Sequence, residues 1–207
     1  MPQQRRTDRQ AIVAASIEVL DERGLDKLSL HAVAARLGVR QPALYHHFHD
    51  KQEILAAVAT EVLARWHTDR LPEPNEDWRD FLARNSHSLR RAMLAVRDGA
   101  RLLVVAGPRA PELTNAIAQV SLLERQGFTG ADAILAFIAV SRYTIGATLE
   151  QQSARDGSAI LFPDGDLSPE AAHLVQLAEQ VAVLGPDHEF STGLNALIEG
   201  LDPHAAD

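Results

Sequence analysis

Apolar side chains recur along this chain at helical spacing with polar ones between them, the pattern of helices that each bury one face. The first stripe, Ile12, Ala15, Ile17, Val19 and Leu20, closes at Gly24. A second begins behind a cap candidate, Ser29, buries Ala32, Val33 and Leu37, and stops at Gly38, where a residue tolerating positive φ is wanted. After the short turn through Val39 and Arg40, Pro42 sits near a helix start, and Leu44, Tyr45 and Phe48 follow at helical spacing. Two short helices meeting at a glycine turn predict a helix-turn-helix. Its second helix presents Arg40, Gln41, Ala43, His46 and His47 to a DNA major groove.

Asp50 can cap a long connector helix carrying Ile54, Leu55, Val58, Val62 and Trp66, which ends before the break from Leu71 to Asn75. Asn75 is the cap expected for the next helix, whose stripe is Trp78, Phe81, Leu82, Leu89 and Met93. Asn85 falls inside that stripe, and a buried amide needs partners. A shorter apolar segment, Leu102 to Val105, ends at Gly107 and Pro108, and a further helix runs from about Pro111 to Arg125. From Thr129 to about Gln152 the chain is apolar on nearly every side, above all between Ala133 and Val140, so it must be covered on two faces. The apolar run falls short of the ~20 residues of a membrane span and is followed by Arg142 and Glu150, which favours burial against a second subunit. Residues 156–168 read as a loop, Ser168, Pro169 and Glu170 as a helix start, and Asp187 to Leu201 as the last helix, with Phe190, Leu194, Leu197, Ile198 and Leu201 on one side. No alternating run predicts a strand, so the expected fold is all-α, with nine or ten helices.

Composition narrows the function classes. Of 207 residues, 46% are apolar, enough for a large core, and none is cysteine, which removes disulfides, thiolate metal sites and thiol nucleophiles. The N-terminus, with Gln3, Gln4, Arg5, Arg6 and Asp8, carries no apolar signal region, so a cytoplasmic protein is expected. The net charge of −8 divides unevenly. Residues 1–51 hold eight bases against six acids, a net +2, which leaves −10 for the remainder. A basic end that approaches phosphate and an acidic body repelled from it fit that division, as does ordinary surface charge. No nucleophile motif or dense metal-ligand spacing points to an enzyme; His67 with Glu150 is the one conceivable acid–base pair. His46, His47 and His49 look like a metal cluster, but neighbours on one short helix point in different directions.

From about residue 12 to 63 the chain resembles the DNA-binding domain of the TetR family of bacterial repressors. The likeness rests on Leu28, Ser29, Leu30, Val33, Ala34, Leu37, Gly38 and Val39, then Ala43, Leu44, Tyr45, His47 and Phe48, with Lys51 opening the connector. The remainder is similar to the effector domain of the tetracycline-repressor branch, on Arg65 to Thr68, Trp78 with Asp80, Phe81, Leu82 and Asn85, Arg97 to Ala100, Gln126 to Phe128, Glu150 with Gln152, and Gly193 with Leu194. The resemblance implies a helix-turn-helix domain at 1–51, a connector helix at 50–70, and a ligand-binding and dimerisation domain at 71–207. It implies a homodimer on a palindromic double-stranded operator, with Tyr45, His47 and Lys51 on phosphates. Gln41 and Ala43 can read base edges and Arg40 can serve guanine or phosphate, while His31 stands where the family has a base-contacting arginine. Tyr45 can alternatively lie in the core.

For the effector, the resemblance gives His67, Asn85 and Gln119 as ligand contacts and Glu150 as the carboxylate reached through metal-bound water. Leu89, Leu103, Ile134, Phe137 and Leu174 would line an apolar wall. Leu103 replaces the branch's metal-binding histidine, and Gly107 replaces the arginine of the loop that includes Pro108. Leucine cannot coordinate a hard cation, so no metal or other cofactor is expected. The expected inducer is a different flat, partly polar, multi-ring molecule of aromatic or polyketide type. Asn85 and Gln119 can instead cap backbone groups in a packed core, and Glu150 can serve an ion pair. A ligand-independent DNA-binding or scaffolding protein is the alternative function.

Overall fold

The computed structural model describes residues 8–107, 112–155 and 167–201. Among them every regular element is helical. α1 (Arg9–Arg23) is capped by Asp8, which accepts from the Ala11 amide, and ends at Gly24 with φ 78. A 3₁₀ turn, Leu25–Lys27, leads to α2 (Leu30–Leu37), whose cap Ser29 accepts from the Ala32 amide. Gly38 closes α2 in the left-handed conformation expected of it (φ 70, ψ 28). The expected recognition helix is a 3₁₀ segment, Gln41–His46, rather than an α-helix. Pro42 leaves it without one donor, and only six residues separate Arg40 from His47, too few to complete two α-turns. Leu44 and Phe48 are buried beneath it and fix its position.

α3 (Lys51–Trp66) is capped by Asp50, which accepts from the Glu53 amide, while Glu53 accepts in return from the His49 amide. α4 (Trp78–Leu94) is capped by Asp77, not Asn75; Asn75 takes φ 61 in the preceding turn instead. α5 (Gly99–Val105) follows a sharp reversal at Asp98, φ 55. α6 (Leu113–Arg125) is capped by Glu112, and α7 (Asp132–Arg155) starts three residues later than the apolar pattern placed it. α8 (Pro169–Glu199) is broken at Gly185 (φ 81, ψ 166) with Pro186 following, so 169–184 and 186–199 are two helices, as the starts at Ser168 and Asp187 anticipated. Pro108 and the loop residues 156–166 lie outside the described residues.

Two clusters of buried side chains hold the chain together. The first joins α1, α2 and α3 to Met93, Val96, Ala100, Leu102, Leu103 and Ala106. The second packs Trp78, Phe81 and Leu82 of α4 against Leu123, Phe128, Ala136, Val140 and, from the end of α8, Phe190, Leu194 and Ile198. Each fully buried Leu or Phe here contributes ~1.5–3 kcal/mol relative to exposure. Arg90 is the charged member of this core. It pairs with Asp187 at 2.7 Å, donates to the Pro186 carbonyl and to Gln151, and lies 4.8 Å over the Phe190 ring, so it anchors α8 just after the Gly185 break.

α7 alone among the described residues is long and apolar enough to cross a membrane by length and composition, and only 28% of that stretch is buried within the chain. Ile134 and Leu135 are exposed on one side while Ala133, Ala136 and Val140 are buried on the other. Both faces are therefore apolar, as the sequence pattern requires.

Candidate functional site

At the N-terminal end, the surface presented by α2 and the 3₁₀ segment carries the predicted DNA contacts. His31, Arg40, Pro42, His46 and Lys51 are exposed, and Gln41, Ala43 and His47 are half-buried. Tyr45 is 48% exposed, which removes the core alternative for it; the Gln41 amide reaches its hydroxyl at 3.4 Å. Arg9 bridges this surface to α3, donating to the His47 carbonyl and to Glu53 at 2.8 Å while lying 4.1 Å over Phe48. Arg36 is neutralised by Glu18 and Glu22 on α1. Among the described N-terminal bases, Arg40 and Lys51 stand beside the turn outside these pairs.

α5 is fastened to this end by polar contacts. The Leu25 amide donates to Asp98 at 2.7 Å, the Arg97 amide to Asp21 at 2.9 Å, and Arg101 forks onto Asp26 at 2.6 and 3.0 Å. Gln52 of α3 donates to the Val105 carbonyl at 2.8 Å, closing the last turn of α5.

The three predicted polar ligand contacts converge on one segment, residues 67–71, which leaves the end of α3. His67 is its first residue and is buried; its Nδ1 bonds the Ser88 hydroxyl at 3.0 Å, and that hydroxyl also accepts from the Asp69 amide at 3.1 Å. Asn85 donates to the Asp69 carbonyl at 3.0 Å and Gln119 to the Arg70 carbonyl at 2.7 Å. Both amides therefore hold backbone groups of this segment. Arg70 folds back onto the His67 and Leu63 carbonyls, Arg91 holds the Asp69 carboxylate at 2.6 Å, and Arg84 donates to the Leu71 carbonyl. Ser88, Asp69 and Arg70 were not among the predicted site residues. The signal for Ser88 was its position three residues after Asn85, on the same face of α4.

The predicted apolar wall is only partly assembled within one chain. Leu103 is buried in the first core cluster, Leu89 packs against it, and Phe137 meets Phe81 edge-on in the second. Ile134, Glu150 and Leu174 are exposed and do not join these residues. A cleft of about 620 Å³ opens between residues 72–76 and α6, lined by Glu73, Glu76, Ser121 and Arg125 among others, and none of the predicted ligand residues lines it.

Burial, with the Arg70 guanidinium adding to it, lowers the His67 pKa from 6.5 to about 4, so the ring is neutral at pH 7. Unfolded His67 takes a proton near 6.5 and folded His67 only near 4, so between those values the unfolded chain binds more protons. Stability is intact above about pH 6.5 and falls as pH drops toward 4, by up to about 3 kcal/mol. We expect the urea midpoint to fall across that window, and to fall less in a His67→Gln chain; identical pH dependence in the two proteins would count against this role.

Residues 12–58 match the family described as bacterial regulatory proteins, tetR family, and residues 71–204 match the tetracyclin repressor-like C-terminal domain. The class C tetracycline repressor protein of Escherichia coli is 40% identical over 198 residues, covering 94% of this chain and 90% of that protein. Among solved structures, TetR from Acinetobacter baumannii AYE superposes with a TM-score of 0.81 at 39% identity, covering 94% of this chain and 96% of that one. Class A TetR in complex with 5a,6-anhydrotetracycline and magnesium gives a TM-score of 0.74 at 34% identity, covering 94% and 98%. The Leu103 side chain is a buried hydrocarbon with no lone pair to offer a metal ion.

Proposed function

Because this chain belongs to the TetR family, a family of DNA-binding regulators and not of enzymes, we propose that it is a repressor whose small-molecule inducer releases it from DNA. We read residues 1–51 as the DNA-binding domain, 50–70 as the connector and 71–207 as the effector and dimerisation domain. Two copies joined through α7 and the end of α8 place their reading segments about 34–36 Å apart on a palindromic operator. Arg40, Gln41, Pro42, Ala43 and His46 face bases, with His31 making the operator differ from those read by an arginine there. Tyr45, His47 and Lys51 take phosphates. Work on chromosomal or plasmid DNA makes the cytoplasm its compartment, and an efflux or resistance gene fits as its target.

The observation that carries this function is the convergence of His67, Asn85 and Gln119 on the segment that ends the connector helix. A molecule bound there acts on the part of the chain that sets the spacing of the reading segments. It must weaken DNA affinity by its preference for the conformation with the wrong spacing. The inducer is a multi-ring aromatic or polyketide-type compound, taken without metal, since a hydrocarbon stands at Leu103. Glu150, Ile134 and Leu174 are exposed in one chain and complete the site where a second chain covers them; Leu89 and Phe137 complete its wall.

Fluorescence anisotropy on the duplex upstream of the protein's own gene tests this function, with aromatic polyketides and anhydrotetracycline added in turn, each with magnesium and with excess EDTA. We expect binding, release by one compound, and the same release in EDTA. Release that needs magnesium overturns the metal-free inducer, and failure to bind any duplex overturns the repressor.

A further inference from the structure

The polar groups offered to an inducer are already engaged. Asn85 gives its amide to the Asp69 carbonyl at 3.0 Å, Gln119 gives its own to the Arg70 carbonyl at 2.7 Å, and the Ser88 hydroxyl takes the Asp69 amide while bonding the His67 ring. Three contacts from two helices, α4 and α6, thus hold three consecutive peptide groups that follow α3, and a fourth holds the His67 ring. Asn85 is half-buried, Ser88 is fully buried, and no buried side-chain polar atom among the described residues lacks a partner. A primary amide carries two N–H groups, and the one that each side chain gives to the segment reaches a new acceptor only by surrendering its carbonyl.

We infer that segment 67–71 is the resident occupant of this site, and that Asn85, Ser88 and Gln119 are positioning residues of the connector. A ligand whose two acceptor oxygens take these N–H groups stands in place of the Asp69 and Arg70 carbonyls and expels the segment. Expulsion frees the chain immediately after His67, whose amide closes the last turn of α3 on the Leu63 carbonyl. Binding and loosening of the connector are then one event. The ligand's affinity is reduced by the fraction of molecules in which the segment is still seated.

This inference rests on the site proposed above, but its test needs no ligand. Amide exchange by mass spectrometry on the full chain compares the parent protein with Gln119→Glu, which keeps the shape and loses the donor, and with Ser88→Ala. Both should exchange about fivefold or more faster across 67–71, as expected for loss of one hydrogen bond in a local opening, with protection of the core helices unchanged. Unchanged exchange across 67–71 in both variants overturns the inference. If one variant fails to fold, the other decides. A second reading on the same proteins is operator affinity without ligand, which should fall at least about threefold as the connector loosens; faster exchange with unaltered affinity overturns the coupling to the connector. A parent protein that binds no duplex sinks the repressor function and leaves the exchange result to decide the seating of the segment on its own.

Discussion

A Gly99→Ala chain is expected to lose about 3 kcal/mol or more of stability. Gly99 opens α5 directly after the left-handed Asp98, and a Cβ built on it would stand 2.0 Å from the Met93 carbonyl oxygen and 2.8 Å from its carbon. The obstacle is backbone, not the tip of a flexible side chain, so the only relief is to move the end of α4 away from the start of α5. That movement is resisted from a third helix. Gln152 of α7 donates to the Met93 and Val96 carbonyls at 3.1 Å each and accepts from the Ala100 amide at 3.0 Å, bracketing the reversal from both sides. Opening the turn for one methyl group breaks that bracket and disturbs Met93, Val96 and Ala100, all of which are buried. Urea unfolding followed by circular dichroism measures the loss; a midpoint equal to that of the parent chain would show that the turn can yield.

Leu135→Glu should reduce operator affinity about a hundredfold or more while leaving the single chain folded. Leu135 is 56% exposed on α7, beside Ile134 at 52%, on the side away from the buried Ala133, Ala136 and Val140. A carboxylate costs nothing there in an isolated chain, but it is unpaired and desolvated once a second copy packs against that face. One reading segment covers only a few base pairs, so a chain that stays single retains little beyond phosphate attraction. Sedimentation and anisotropy together decide the matter. A Leu135→Glu protein that remains dimeric refutes this placement of the interface, and a monomer that binds as well as the parent refutes the need for two copies.

What the sequence made legible was local. Ser29, Asp50 and Ser168 cap the helices expected of them, and Gly38 closes α2, because each such bond spans only a few residues. The choice between Asn75 and Asp77 as the cap of α4 was not local. Gln126 sets it from a distance, accepting the Trp78 amide and donating to the Glu76 carbonyl, and so fixes where the chain turns into the helix. The candidate site divides in the same way. That Asn85 and Gln119 point inward was readable from their place among apolar neighbours, but their partners lie 16 and 49 residues away in the chain, on main-chain carbonyls that no side-chain pattern advertises. Arg90 escaped notice because its burial depends on Asp187, Gln151 and Phe190, which arrive from two other helices. The exposed wall residues of α7 and α8 fit no single chain, since the pattern that marks them as apolar does not say whose surface they meet.

The reading helices do not own their core. Met93, Val96, Ala100, Leu102, Leu103 and Ala106 complete the cluster built on α1 to α3, and Asp98 and Arg101 tie it down from outside. Such an arrangement constrains inheritance as much as mechanism. The DNA-reading segment is no interchangeable cassette: recombination that joined it to a foreign effector would expose one side of its core and strand the Leu25 amide and Asp26 without their counterparts. New operator specificity is therefore reached most cheaply by changing the exposed residues of the 3₁₀ segment one at a time, while the surface shared with α5 descends intact.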